Sequence, residues 1–276
     1  MSYYEPLDQT TPGDLVEETF LATRHTGSPW SGDLQHGGPV AALLTRAMDR
    51  CAPRDGTRLA RVTVEFLGVV PISEVRTSAQ VERPGRRVEL LASRLDARQA
   101  DGTWRQVAHA RGWRLATEDT HDVHHHADQV VPLPPDAPQP ADQHPLPAAL
   151  HTSAFVQALD WRYTSAAHVP GTPTVAWMRL ARPLVAGEQT TPLEQAVAIA
   201  DVANGIGARL DPACFTFPNT ELSVHLHERP RGSWFGLAAE TSIGADGIGL
   251  SAATLHHENG PIGRVTQTVL AQRRHS

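Results

Sequence analysis

The sequence predicts an α+β protein made of two similar halves, and three observations predict it. One apolar-faced helix followed by four strand patterns occurs twice along the 276 residues. A hairpin turn holds the same place in each half, Ala100-Asp101-Gly102 and Glu258-Asn259-Gly260. Between them runs a stretch of histidine and proline that suits neither helix nor central strand. The halves are read as residues 1–117 and 151–276, joined by a linker at 118–150.

In the first half, Gly37-Gly38-Pro39 opens a helix, because the N–H that proline lacks would be unpaired in a first turn. Val40, Leu43, Leu44, Ala47, Met48 and Cys51 repeat at helical spacing and form its apolar face, with Thr45, Arg46, Asp49 and Arg50 on the other. Strands are expected at Arg61–Phe66, Val75–Val81, Arg87–Ala97 and Trp104–Leu115. The second half repeats the order. A helix is expected from Pro192 to Asn204, stopped by Gly205, with strands at Glu221–His227, Trp234–Ser242, Gly247–His257 and Ile262–Gln272. A long apolar helix needs cover, and a curved sheet wrapped around it supplies that. Two such sheets joined edge to edge leave fewer exposed edges.

Composition narrows the function. A net charge of -6 and a pI near 6.2 argue against a nucleic-acid surface, though a polyanionic ligand needs only a local basic patch. No apolar run reaches the roughly 18–20 residues that span a bilayer. The first residues lack a signal-peptide pattern, so a cytoplasmic protein is expected. Cys51 and Cys214 have no metal-ligand spacing and are expected to be free, buried thiols. Four histidines in the linker (His121, His124, His125 and His126) bind metal adventitiously more often than functionally. No metal set or Gly-rich phosphate loop is found, and no cofactor is expected.

Polar residues on apolar faces carry the chemistry. Asp201 and Asn204 fall on the same helix face as Leu193, Val197 and Ala200. An aspartate there has weak helix propensity, faces the core, and nears a C-terminus whose dipole disfavours an anion. Gln267 is likewise the strongly polar member of the face formed by Gly263, Val265, Val269 and Ala271. Asn219 and Thr220 enter the first strand of this half, and either could reach a shared site. In the first half, His109 is judged to face the position of Gln267, and no carboxylate stands in for Asp201.

These segments resemble the type II acyl-CoA thioesterases, the double-hotdog enzymes. The resemblance rests on His36-Gly37-Gly38, Arg83-Pro84-Gly85-Arg86-Arg87-Val88, Asp201-Val202-Ala203-Asn204-Gly205, Phe217 to His227, Trp234 and Gly263 to Gln267. It implies a hotdog in each half, and one active site built mainly from the second half. There Asp201, Gln267 and either Asn219 or Thr220 would hold a nucleophilic water. His36 either caps its helix or, with Gly37 and Gly38, shapes a groove for the thioester. Arg86 and Arg87 are candidates for CoA phosphates.

The expected reaction is hydrolysis of a fatty or other acyl-CoA by direct water attack, since no Gly-x-Ser-x-Gly elbow supplies a serine nucleophile. Two alternatives are a non-catalytic acyl-thioester-binding hotdog protein and a hotdog dehydratase or hydratase. The last needs a histidine–acid pair, for which His109 has no evident partner. Exposed sheet edges suggest a homodimer or higher homo-oligomer.

Overall fold

The two halves become one sheet where strand β3 (Thr57–Phe66) lies antiparallel beside β10 (Glu221–Leu226). At this seam Val62 and Val64 pair with Val224 and Leu222, and all four are fully buried. The computed structural model describes residues 1–9, 16–136, 144–163 and 172–274. On the β3 side lie β1 (Tyr4–Gln9), β2 (Val16–Ala22), β4 (Glu74–Arg83), β5 (Val88–Arg98) and β6 (Trp104–Ala116). On the β10 side lie β7 (Leu159–Tyr163), β8 (Thr174–Leu180), β11 (Phe235–Ile243), β12 (Ile248–His257) and β13 (Gly260–Leu270). The 12 strands run in the order β1-β2-β4-β5-β6-β3-β10-β13-β12-β11-β8-β7. A short separate pair joins β9 (Phe215–Thr216) to β14 (Gln272–Arg273).

All eight expected strands form, within a few residues of their expected ends. The hairpin turns form as well, and Gly102 and Gly260 adopt φ of 82° and 134°, which only glycine takes readily. Strands β1, β2, β7 and β8 were not anticipated. They extend the sheet at its two ends, while helix α1 (Gly37–Arg50) packs on β3, β4, β5 and β6. Helices α3 (Pro192–Ala200) and α4 (Ala203–Gly207) fill the second half in the same way. A single turn, α2 (Ala154–Gln157), leads into β7.

Three expectations need correction. The face of α1 read as polar is solvated only at its C-terminal end, where Asp49 and Arg50 are exposed, for Thr45 and Arg46 are both fully buried. Arg46 donates two hydrogen bonds to Glu18 of β2 (2.6 and 3.0 Å) and two to Glu188 (2.9 and 2.8 Å), tying α1 to both halves. The second helix is not continuous from Pro192 to Asn204 but breaks after Ala200, and α4 runs past Gly205. Both cysteines are free, but Cys214 is exposed while Cys51 is buried.

The described residues of the histidine- and proline-rich segment are irregular apart from short 3-10 turns, as its composition requires. It does not stand off from the fold. Leu146 and Leu150 enter the core, Asp128 pairs with Arg264, and the Gln129 carbonyl receives a ring nitrogen of His256 at 3.1 Å. Pro138 and Pro140 of this segment lie outside the described residues.

Burial by itself would raise the Glu188 carboxyl, but hydrogen bonds and charge from Arg46 and Arg50 bring it below its ordinary value of 4.5. A carboxyl with a lower pKa folded than unfolded stabilises the protein above its unfolded value. That contribution disappears as pH falls through the folded value. Replacing Arg46 with alanine leaves the Glu18 carboxylate without its partner and Glu188 with Arg50 alone, and is expected to cost about 3–5 kcal/mol in urea unfolding at neutral pH. The gap to wild type should narrow as Glu188 protonates. Equal stability at pH 7 would mean that this network contributes nothing net.

Candidate active site

Strand β13 alternates, and its inward face is Gly263, Val265, Gln267 and Val269, all buried. The Gln267 side chain reaches the gap between α3 and α4. Its Oε1 accepts the backbone N–H of Asn204 at 2.9 Å, and its Nε2 lies 3.3 Å from the Asp201 carbonyl and 3.1 Å from Asp201 Oδ1. In an unbroken helix, the Asn204 N–H would donate to the carbonyl four residues earlier. A side-chain amide inserted into that ladder is a recognised cause of helix breaks. Here the amide presents an acceptor to the Asn204 N–H and a donor to the Asp201 carbonyl, whose own helical donor would have been the Gly205 N–H. The Asn204 side chain donates to the Phe217 carbonyl at 2.6 Å.

Asp201 caps the C-terminal end of α3 with its backbone still in the helical region, and its side chain is only 1 % exposed. Oδ1 receives Asn219 Nδ2 at 2.9 Å together with the Gln267 amide, so that oxygen is saturated. Oδ2 faces His36 Nδ1 at 3.0 Å. Asn219 is itself fixed by a second bond to the Glu221 carbonyl at 3.0 Å. Thr220 takes no part in this cluster. Its backbone joins Thr268 and Phe66, and its hydroxyl is 3.5 Å from the Thr268 carbonyl. Asp201, Gln267 and Asn219 therefore converge, whereas Thr220 only lines the adjacent cavity.

The anion penalty anticipated at the end of α3 is relieved by tertiary placement. The Asp201 carboxylate lies over the first residue of α1, where the helix dipole favours negative charge. A Cβ on Gly37 would fall 2.6 Å from Asp201 Oδ2 and 2.7 Å from Phe66, so only glycine admits this approach. Gly38 has a different duty. A Cβ there would sit 2.6 Å from the Ala198 carbonyl of α3, so Gly38 sets the close crossing of the two helices.

His36 is the N-cap of α1, and its Nδ1 is 3.0 Å from the Gly38 N–H as well as from Asp201 Oδ2. One ring nitrogen cannot accept from an amide and donate to a carboxylate at once. With the proton on Nδ1, His36 donates to Asp201 and frees the Gly38 N–H. With Nδ1 bare, the ring caps the helix and the contact needs a proton on Asp201. The ring packs on Phe155, with centroids 4.7 Å apart.

A cavity of about 440 Å³ opens beside Asp201, walled by Trp30, Leu34, Phe66, Val70 and Pro218. A smaller one of about 40 Å³ lies on the other side of Asp201 and is closed by Leu146 and Leu150. Sequence reasoning missed these walls and missed His36 as the partner of Asp201. The pair Gly37-Gly38 was the available signal, since consecutive glycines at a helix start indicate close approach. Arg86 and Arg87 do not join the site. They are exposed in the β4–β5 turn, beside the Thr57 end of β3, whereas the cavity lies at its Phe66 end, roughly 30 Å away. His109 is also misplaced. Matching Val64–Ala110 with Val224–Val265 puts Gly112, not His109, at the position of Gln267. The Cβ that Gly112 lacks would lie 2.7 Å from Leu59 and 3.2 Å from Met48, so packing rather than chemistry occupies that place.

Comparison with known proteins agrees with this architecture. The acyl-CoA thioesterase N-terminal domain family matches residues 26–115, and the acyl-CoA thioesterase C-terminal domain family matches residues 128–271. No curated protein sequence matches the chain. Among solved structures, a hot dog fold protein of unknown function from Alicyclobacillus acidocaldarius is 16 % identical, with a TM-score of 0.67 and 97 % of each chain covered. The acyl-CoA thioesterase II TesB2 of Mycobacterium marinum is 14 % identical, with a TM-score of 0.66 and coverage of 97 % of this chain and 96 % of that one. The tesB protein of Mycobacterium avium subspecies paratuberculosis is 18 % identical, with a TM-score of 0.61 and 96 % of each covered. The chain belongs to the acyl-CoA thioesterase family and is a double-hotdog thioester hydrolase.

Replacing Gln267 with leucine keeps the volume but leaves the Asn204 N–H and the Asp201 carbonyl without partners. The expected cost is about 1–3 kcal/mol for each buried group left unpaired. Hydrogen exchange at the Asn204 amide should quicken more than exchange in β13. Uniform protection across both would show that the helix break does not depend on this amide.

Proposed function

We propose that the chain hydrolyses a fatty or other acyl-CoA to free acid and CoA, by direct attack of a water activated at Asp201. One observation carries the reading. A buried carboxylate has one oxygen saturated by two amide donors, and its other oxygen is turned toward a histidine and an apolar cavity. Two fixed donors on Oδ1 hold the carboxylate in one orientation, and orientation lowers the barrier to attack. The cavity has space for an acyl group.

The water oxygen bonds to the thioester carbonyl carbon while its proton passes to Asp201 Oδ2. The carbonyl π electrons move onto oxygen. Collapse of that alkoxide breaks the C–S bond, and the departing CoA thiolate takes up the proton. His36 at 3.0 Å shares the proton in the interval. When Nδ1 carries a proton, the freed Gly38 N–H at the start of α1 is available as a donor to the developing oxyanion. Asn219 and Gln267 are positioning residues for Asp201. A cytoplasmic setting belongs to the same proposal, since Cys51 and Cys214 carry free thiols, the state that compartment maintains.

The His36–Asp201 contact favours a second reading. It is the histidine–acid pair that a hydroxyacyl-thioester dehydratase or hydratase requires, found across the halves instead of within the first. Incubation with a 3-hydroxyacyl-CoA separates the two: free acid and thiol support hydrolysis, and enoyl-CoA supports dehydration.

Asp201→Asn is the direct test, because it keeps shape and removes the base. Free-thiol release from an acyl-CoA panel should fall by about 10²–10⁴-fold, with the unfolding midpoint kept. Undiminished turnover in that variant would remove Asp201 from the mechanism.

A further inference from the structure

Among the described residues, a gathering of metal-ligating side chains outside the candidate active site joins the histidine run to a residue far along the chain. His124 and His126 approach Glu228, which follows β10, and one ligand atom from each lies within 4.8 Å of the other two. His124 Nε2 is 3.9 Å from Glu228 Oε1. Tetrahedral zinc with bonds near 2.0–2.1 Å sets its ligand atoms roughly 3.4 Å apart, so modest side-chain rotation closes the set. His126 Nδ1 is buried and makes no hydrogen bond among the described residues. A buried polar atom left in that state calls for an explanation, such as an ion.

We propose that His124, His126 and Glu228 bind one zinc ion, which fastens the linker to the second half. Two imidazoles and a carboxylate are ligands that suit zinc. The surroundings arrange them in advance. Asp128 pairs with Arg264 and Gln129 with His256, which hold the chain just after the histidines against β12 and β13. The second oxygen of Glu228 faces His257 Nε2 at 3.7 Å, a contact that orients a ligating carboxylate. Glu228 lies nine residues beyond Asn219 along an extended strand, roughly 30 Å from the candidate active site. The role is therefore structural.

The test uses the full chain without an affinity histidine tag, stripped with chelator and titrated with Zn²⁺. One equivalent should bind, and the unfolding midpoint should rise with zinc and return with chelator. Glu228→Gln and His126→Asn should each weaken binding by about ten-fold or more, while His125→Ala leaves it unchanged. Far-UV circular dichroism verifies that each variant folds, and His124→Asn replaces either one that does not. Zinc-free protein should hydrolyse acyl-CoA at the rate of the loaded protein. Binding unaffected by Glu228→Gln would mean that the histidine run captures an adventitious ion only, and would overturn the proposal. So would no binding, or a loss of hydrolysis on removing zinc.

Discussion

The side chain of Gln267 occupies the place where a helical hydrogen bond would otherwise run. Its oxygen takes the Asn204 N–H, and its nitrogen lies against the carbonyl and carboxylate of Asp201. Asp201 caps α3 with helical backbone angles, on the face turned to the core and at the unfavourable end of that helix's dipole. What offsets that position is the N-terminus of the other helix, against which the carboxylate is packed. The same amide gives partners to the Asn204 N–H and the Asp201 carbonyl at the break. Asn219 adds a second donor to Oδ1, which offsets the cost of burying a charge.

The site consequently belongs to both halves. Asp201, Asn219 and Gln267 come from the second half, while His36, Gly37 and Phe66 come from the first. Their proximity depends on the β3–β10 seam and on the close crossing of α1 over α3. Gly38 permits that crossing, because a single methyl there would meet the Ala198 carbonyl at 2.6 Å. At the other end of α1, Arg46 is bound between Glu18 and Glu188, so its charge is buried but paired from both sides. Cap, crossing and buried cation together fix where the His36 ring stands relative to Asp201.

That placement leaves His36 with two competing partners. An N-cap bond to Gly38 stabilises α1 by roughly 0.5–2 kcal/mol in comparable helices, and a bond to Asp201 removes it. The two arrangements differ by the position of one proton. A group that exchanges its cap bond for a contact with a buried carboxylate as a proton moves has the chemistry that the proposed acid–base role needs.

The sequence by itself determined the duplicated helix-and-meander order, the inward faces of α1 and β13, and the anomaly of Asp201 and Gln267 on apolar faces. Each of these is a local pattern, readable from the 3.6- and 2-residue periods of helix and strand. Tertiary structure alone brings Asn219, and not Thr220, to Asp201, because the bridge of Asn219 to Val269 ahead of β10 turns the two neighbours to opposite sides. It also decided that His36 pairs with that aspartate, that Arg46 is buried, and that Arg86 and Arg87 stand at the far end of the sheet. Glu228 meets the histidine run for the same reason. Contacts between residues a hundred or more positions apart depend on how strands are ordered in the sheet, and strand order leaves no local trace in the sequence.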